Sequence, residues 1–300
     1  MVLEPTLYQH ALALITRRYP FLSGAASIPN SRTFGRISGS RNVEGWSRTP
    51  GGEIYARLDD FIGRAVFFSG DLDPKLTSLA RQLIRHNDTV FDIGANIGVM
   101  TLQFSDLAGP GGQVHAFEPN PENMKLLHAA TSRKRTMNVV LNEIALGREP
   151  DVLTLRSPQG NAGAGSLIRG TDWSDTSTYQ VNVIRLDDYI VTKKIKKVDV
   201  IKIDVEGAEA DVFEGAGNLL RNNPPRAIIF EDNDREENAI SPAMSKLLEF
   251  GYGFIALPKN MLKLKPMKID PAKERIVGHD FIAAKLGLGF QSLCGTLGIE

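Results

Sequence analysis

The chain has 300 residues, 35 Lys and Arg against 35 Asp and Glu, and a 42% hydrophobic composition, so it can bury a core of its own and carries no global charge field. That balance excludes a disulfide-built miniprotein and a bundle of membrane spans, and any nucleic acid or anionic surface would need a local patch. The single cysteine, Cys294, cannot close an intramolecular disulfide and reads as inert. An amino terminus whose short apolar segment precedes its arginines has the wrong order for a secretory leader, so a cytoplasmic location is expected.

Residues 1–70 read as an extension and residues 71–300 as one domain with a tail of unassigned role after residue 257. The extension opens with an amphipathic helix over Thr6–Arg17. Arg17, Arg18, Arg32, Arg36, Arg41 and Arg48 follow with one acid, Glu44, an excess of five positive charges that is taken as a solvated face ahead of an anion-binding patch. Ile54–Phe68 has strand character. From residue 71 short β-branched runs alternate with helical periods, the pattern of a doubly wound α/β sheet. Strands are expected at Thr89–Ile93, Gln113–Glu118, Asn138–Glu143, Val198–Val205, Arg226–Glu231 and Tyr252–Ala256. Helices are expected at Ile97–Asp106, Pro121–Arg133, Ala208–Arg221 and Pro242–Phe250, the second announced by Asn120 as cap and Pro121 at the first helical position. Val152–Arg156 and Tyr179–Arg185 alternate like an antiparallel pair around Ser157–Asp175, a loop too long and glycine-rich for a plain connection.

The sharpest motif is Val90-Phe91-Asp92-Ile93-Gly94-Ala95-Asn96-Ile97-Gly98, a buried strand running into a glycine turn and then a helix. Glycine permits the tight turn and the close approach of a ligand, and the helix start aims free N–H groups at it. The spacing is not that of the dinucleotide fingerprint, and Asp92 repels a pyrophosphate but suits a cation. Glu118 follows 24 positions after Gly94, at the end of the next strand, where a carboxylate grips a ribose diol. A nucleoside with a positive charge fits both features, and S-adenosylmethionine is such a molecule.

With these motifs, the ordered set VFDIGANIG, HAFEPNPEN, LNEIALG, RLDDYI and DVIKIDVEGAEADVFEGA resembles the FkbM-type methyltransferase family over roughly residues 60–257. The resemblance implies a class I methyltransferase (Rossmann-like) fold, a mostly parallel seven-stranded sheet carrying a hairpin insertion. It also implies that Asp92, Gly94, Ala95, Asn96 and Gly98 hold the methionine part of the donor, Glu118 the ribose, and Asn142 or Glu143 the adenine edge.

In Asp199–Glu209, period two places Lys202, Asp204 and Glu206 on one face of the fourth strand, with Ile201, Ile203 and Val205 on the other. Charges inside a parallel sheet need partners or an open end, and ligands of such sheets bind outside the carboxyl ends of the strands. Asp204 and Glu206 are therefore expected beside the donor's methyl group, Asp204 touching donor as well as acceptor. The bland alternative is that Lys202 and Asp204 neutralise each other while Glu206 and Glu209 favour a helix start. Methyl transfer to a neutral hydroxyl gains from a base, and the candidates are Asp204, Glu206 and Glu231. Magnesium on Asp204, Asp232 and Asn233 ranks below a metal-free site.

The five histidines show no paired ligand spacing, His115 reads as a packed strand residue, and no G-x-S-x-G supports a serine hydrolase. Trp46 and Trp173 sit in irregular segments, where a place in an acceptor pocket and ordinary packing weigh equally. The expected function is O-methylation of a small hydroxylated acceptor such as a sugar or polyketide, with no nucleic acid partner, no membrane span and homodimerisation left open. The alternatives are an RNA or protein methyltransferase using the basic segment, and a non-catalytic binding module of the same fold.

Overall fold

The computed structural model describes residues 2–18, 24, 26–39, 41–158, 176–232, 240–258, 263–271 and 278–299. The amino-terminal helix α1 (Leu7–Thr16) starts at a capping box in which Thr6 and Gln9 satisfy each other's backbone N–H. Helix α2 (Arg32–Ser38) and a hairpin of β1 (Glu44–Thr49) and β2 (Gly52–Arg57) follow. Ile54–Phe68 is strand only to Arg57. Asp60 then accepts the N–H groups of Ile62 and Gly63 and starts helix α3 (Phe61–Ser69), an N-cap that the apolar run masks in the sequence. Ile54, Ile62 and Val66 share a cluster with Ile97, Val99, Leu102 and Ala130, which fixes the extension to the rest of the chain.

Helix α4 (Pro74–Leu83), capped by Asp73, leads into β3 (Thr89–Ile93), α5 (Val99–Ala108), β4 (Gln113–Phe117), α6 (Pro121–Lys134) and β5 (Val139–Asn142). The short β6 (Ala145–Leu146) joins the expected antiparallel pair, β7 (Asp151–Pro158) and β8 (Thr176–Ile184), in a separate three-stranded sheet ordered β6-β8-β7. Apart from its first two residues, the glycine-rich loop between that pair lies outside the described residues, and Trp173 with it. Then come α7 (Leu186–Thr192), β9 (Val200–Ile203), α8 (Glu209–Gly215), α9 (Gly217–Asn222) and β10 (Ala227–Glu231). The single helix expected over Ala208–Arg221 is thus two. The Asp187 carboxylate, from α7, takes the N–H groups of Asn218 and Leu219 at 2.8 and 3.0 Å and starts α9 afresh. The chain closes with α10 (Pro242–Glu249), β11 (Tyr252–Ala256), β12 (Met267–Ile269), β13 (Asp280–Lys285) and α11 (Leu288–Leu297).

The main sheet has eight strands in the order β12-β11-β13-β10-β9-β3-β4-β5, one more than the expected seven. Five neighbours, β10, β9, β3, β4 and β5, are parallel, and β13 inserts antiparallel between β10 and β11. Helices cover both faces. Phe91, Ile93, Ile201 and Ile203 point to the cluster built with α7–α10, while Val90, Val114 and Val200 point to the one built with α4, α5 and α11. The tail after residue 257 therefore completes the sheet through β12 and β13 and covers one face with α11.

Candidate active site

The carboxyl ends of β3, β4, β9 and β10 open into one cavity of about 490 Å3. At the end of β3 the chain passes through left-handed conformations at Gly94, Asn96 and Gly98 (φ 76°, 51° and 95°). Gly94 has a second constraint, since a Cβ there would overlap the carbonyl oxygen of Asp204. The N–H groups of Gly94 and Ala95 both donate to the Phe117 carbonyl at 3.0 Å, tying the loop to the end of β4. One residue beyond β4, Glu118 accepts the N–H of Asn96 at 2.8 Å and of Asn120 at 2.9 Å, with the Asn123 amide at 3.4 Å. Burial pushes its carboxyl up to about 7 despite those bonds.

Lys202 joins the two halves of the site. The β3–β9 register sets it beside Asp92, on the face turned toward α5. Its ammonium donates to the Gly94 carbonyl at 2.7 Å and lies 3.5 Å from both Asp92 and Asp204. Burial alone would lower this lysine, but Asp204 and Asp92 outweigh it and hold it above the ordinary value. Asp92 is wholly buried, and its other oxygen accepts from Thr101 at 2.6 Å.

β9 ends at Ile203, so the strict alternation expected through Glu206 stops short, although Asp204 still shares a face with Lys202. Glu206 and Gly207 then take left-handed backbone conformations in a tight turn. Glu209 braces that turn by accepting the N–H groups of Val205 and Gly207 at 3.2 and 3.4 Å, and burial pushes its carboxyl up to about 7.

Seven of the residues expected to bind the donor or act as base line the cavity, namely Gly94, Ala95, Asn96, Glu118, Asp204, Glu206 and Glu231, and Lys202 lines it with them. Asp92 and Gly98 do not, for Asp92 lies beneath the loop as the partner of Lys202 and Gly98 backs onto Leu127. Asn142 is committed elsewhere, accepting from the Tyr189 hydroxyl at 3.0 Å and donating to the Ala116 carbonyl at 3.1 Å. Glu143 is exposed, and its neighbours Ile144 and Ala145 reach the cavity instead. Asp232 is buried behind the wall, its N–H donating to the His279 carbonyl, and Asn233 lies outside the described residues. Among the described residues, no three His, Cys, Asp or Glu side chains are grouped to hold a metal ion. His115 is packed, bonded to Tyr189 at 2.7 Å and Gln113 at 2.9 Å. Trp46 stands edge-on to Tyr55 under the Arg133 guanidinium and does not line the cavity.

Asp73, Lys75 and Asp280 also stand in the cavity wall, and no motif announces them. Lys75 is buried in an ion pair with Asp280, which begins β13 opposite Glu231. Asp73 is legible only as a helix cap before Pro74, and the Lys75–Asp280 partnership spans the whole domain.

A doubly wound sheet with a glycine turn after one central strand, an acid ending the next, and a ligand cavity over both is the architecture of a class I, S-adenosylmethionine-dependent methyltransferase. The chain belongs to the FkbM methyltransferase family, since the model of the methyltransferase FkbM domain matches residues 92–254, more than half of its length. It is 32% identical over 195 residues to the 31-O-demethyl-FK506 methyltransferase FkbM of Streptomyces tacrolimicus, covering 56% of this chain and 74% of that protein. It is 27% identical over 136 residues to the hexuronic acid methyltransferase AglP of Haloferax volcanii, covering 45% of this chain and 53% of the relative. A solved FkbM methyltransferase from Methylobacillus flagellatus aligns with 74% of this chain and 52% of its own at 13% identity and a TM-score of 0.41.

Proposed function

We propose that the chain transfers the methyl group of S-adenosylmethionine to a hydroxyl oxygen of a small acceptor of the sugar or polyketide type. The observation that carries this reading is the presence of Asp204, Glu206 and Glu231 in the same cavity as the Gly94–Asn96 loop and Glu118. The donor suits these residues. The volume falls within the usual range for small-molecule sites, the carboxylates favour a cation, and Glu118 offers acceptor oxygens to a ribose diol. When bound, the donor supplies an electrophilic methyl carbon on a sulfonium. The Gly94–Asn96 backbone and Glu118 would hold it, and Ile144 and Ala145 take the place by the adenine first given to Asn142 or Glu143. Asp204, 41% exposed and steadied by Lys202, is positioned to accept the proton of the attacking hydroxyl. Ala26, Phe61 and Ile62 bring residues 1–70 into the wall, which supports a role for the extension in choosing the acceptor. The names of the two relatives, one a 31-O-demethyl-FK506 methyltransferase and one a hexuronic acid methyltransferase, support a small-molecule acceptor, and the first supports an oxygen target.

The test is Asp204→Asn, assayed with isotope-labelled donor against a panel of hydroxylated sugars and polyketides. Turnover should fall by about 10²–10⁴-fold while donor binding measured by calorimetry stays within about threefold. Undiminished turnover would displace the reaction centre from Asp204, and methyl found on nitrogen or carbon would overturn the oxygen assignment.

A further inference from the structure

Helix α1 is built inside out. Its inward face carries Gln9, Leu12, Ala13 and Thr16, of which Leu12 and Ala13 join a small apolar cluster with Phe67 and Phe68 while polar bonds hold the rest. The Gln9 amide donates to the Ser38 carbonyl at 2.9 Å and the Thr16 hydroxyl to the Phe68 carbonyl at 2.5 Å. The following Arg17 donates to the Phe67 carbonyl and the Ser47 hydroxyl, both at 2.8 Å. The outward face carries Leu7, Ala11, Leu14 and Ile15, the i, i+4, i+7, i+8 spacing of a single stripe, with Arg18 just past its end. Leu7 is 90% exposed, and Leu14 and Ile15 are each 70% exposed. A surface helix of a globular protein shows the reverse arrangement.

The charge around this stripe is one-sided. Residues 1–52 contain six arginines and no lysine against two acids, Glu4 and Glu44. Arg18, Arg32, Arg36 and Arg41 are exposed, and Arg32 and Arg36 lie on α2, which the Gln9–Ser38 bond ties to α1 beside the exposed Ile37. Glu44, one of two acids before residue 53, faces Arg57 at 3.5 Å. Planar guanidinium groups match phosphate oxygens in bidentate pairs, and an apolar stripe beside cationic side chains is the pattern of a helix lying in a membrane surface. A second copy fits less well, because a twofold contact through this face would bring one arginine cluster against another.

We propose that α1 docks the protein on an anionic phospholipid surface, with Leu7, Leu14 and Ile15 entering the headgroup boundary and the arginines of α2 and its flanks on lipid phosphates. No helix among the described residues is long and apolar enough to cross a membrane, so the contact is peripheral. It is independent of the reaction proposed above.

The experiment is sedimentation of the full chain with vesicles of phosphatidylcholine containing about a quarter phosphatidylglycerol, alongside vesicles of phosphatidylcholine alone. Partition should be about tenfold or more stronger on the anionic vesicles and should weaken in high salt. Leu14→Asp with Ile15→Asp should lower it by about tenfold or more, with circular dichroism and donor binding unchanged. If that pair disturbs the fold, Leu7→Gln alone, at the most exposed position, should still weaken binding. Absence of wild-type binding to anionic vesicles overturns the proposal, as does equal binding by the variants. A wild-type dimer that the variants convert to monomer, with no vesicle binding, assigns the face to a second copy and equally overturns it.

Discussion

Replacing Lys202 by Met should destabilise the fold more than any other single change at the site, and the pH dependence of the loss should identify its cause. The ammonium contacts Asp92, Asp204 and the Gly94 carbonyl at 3.5, 3.5 and 2.7 Å. Asp204 is 41% exposed, so water replaces its partner at a cost of about 0–1 kcal/mol. Asp92 has no such refuge, being wholly buried with Thr101 its remaining donor, and stranding a buried charge costs about 3–5 kcal/mol. The expected loss is therefore about 4 kcal/mol, a large part of the stability of an ordinary domain. Burial already holds the Asp92 carboxyl above its ordinary value with Lys202 in place, and losing the ammonium raises it further, so between those two values the native variant keeps a proton that native wild type has lost. The deficit against wild type should then be fully present above the variant's value and shrink as the pH falls toward the wild-type one. Urea denaturation at about pH 8 and about pH 5 measures it, and adding Asp92→Asn to Lys202→Met should restore part of the loss. A deficit under about 1 kcal/mol, or one that neither varies with pH nor responds to the second substitution, would refute the reasoning.

Two more expectations concern the donor side. Glu118→Gln sets an amide NH2 against backbone donors and removes a charged acceptor, so donor affinity should fall about 10- to 100-fold by calorimetry. Because burial places the Glu118 carboxyl near 7, wild-type affinity should rise from about pH 6 to about pH 8 while the variant's stays flat, and a wild-type affinity indifferent to pH counts against ribose binding by the carboxylate. Gly94→Ala drives a Cβ into the Asp204 carbonyl at a φ of 76°, so both melting temperature and donor binding should fall, and an unchanged pair would show that the loop can reach the donor in another conformation.

Local chemistry was legible and distant partnership was not. β3 and β11 stand where apolar β-branched and aromatic runs place them, and α6 begins where Asn120 and Pro121 cap it. Ile54–Phe68 misled because its apolar content outweighs the lone Asp60 that turns the segment into a helix. The break between α8 and α9 is made by Asp187, some thirty residues earlier, and β13 owes its place to pairing with both β10 and β11.

The candidate site divides in the same way. Glycine turns and strand-end acids can be read because their spacing fixes where they fall, and Gly94, Asn96, Glu118 and Asp204 do converge on the cavity. Spacing does not say which motif residues face a ligand and which support those that do. Asp92 and Gly98 belong to the same nine-residue run, yet one anchors Lys202 under the loop and the other packs on Leu127. Neutralising a charge and building a site are not alternatives for Lys202: one ammonium bonds the Gly94 turn and lies beside both the buried Asp92 and Asp204, so the group that offsets buried charge also ties the glycine turn to the proposed base.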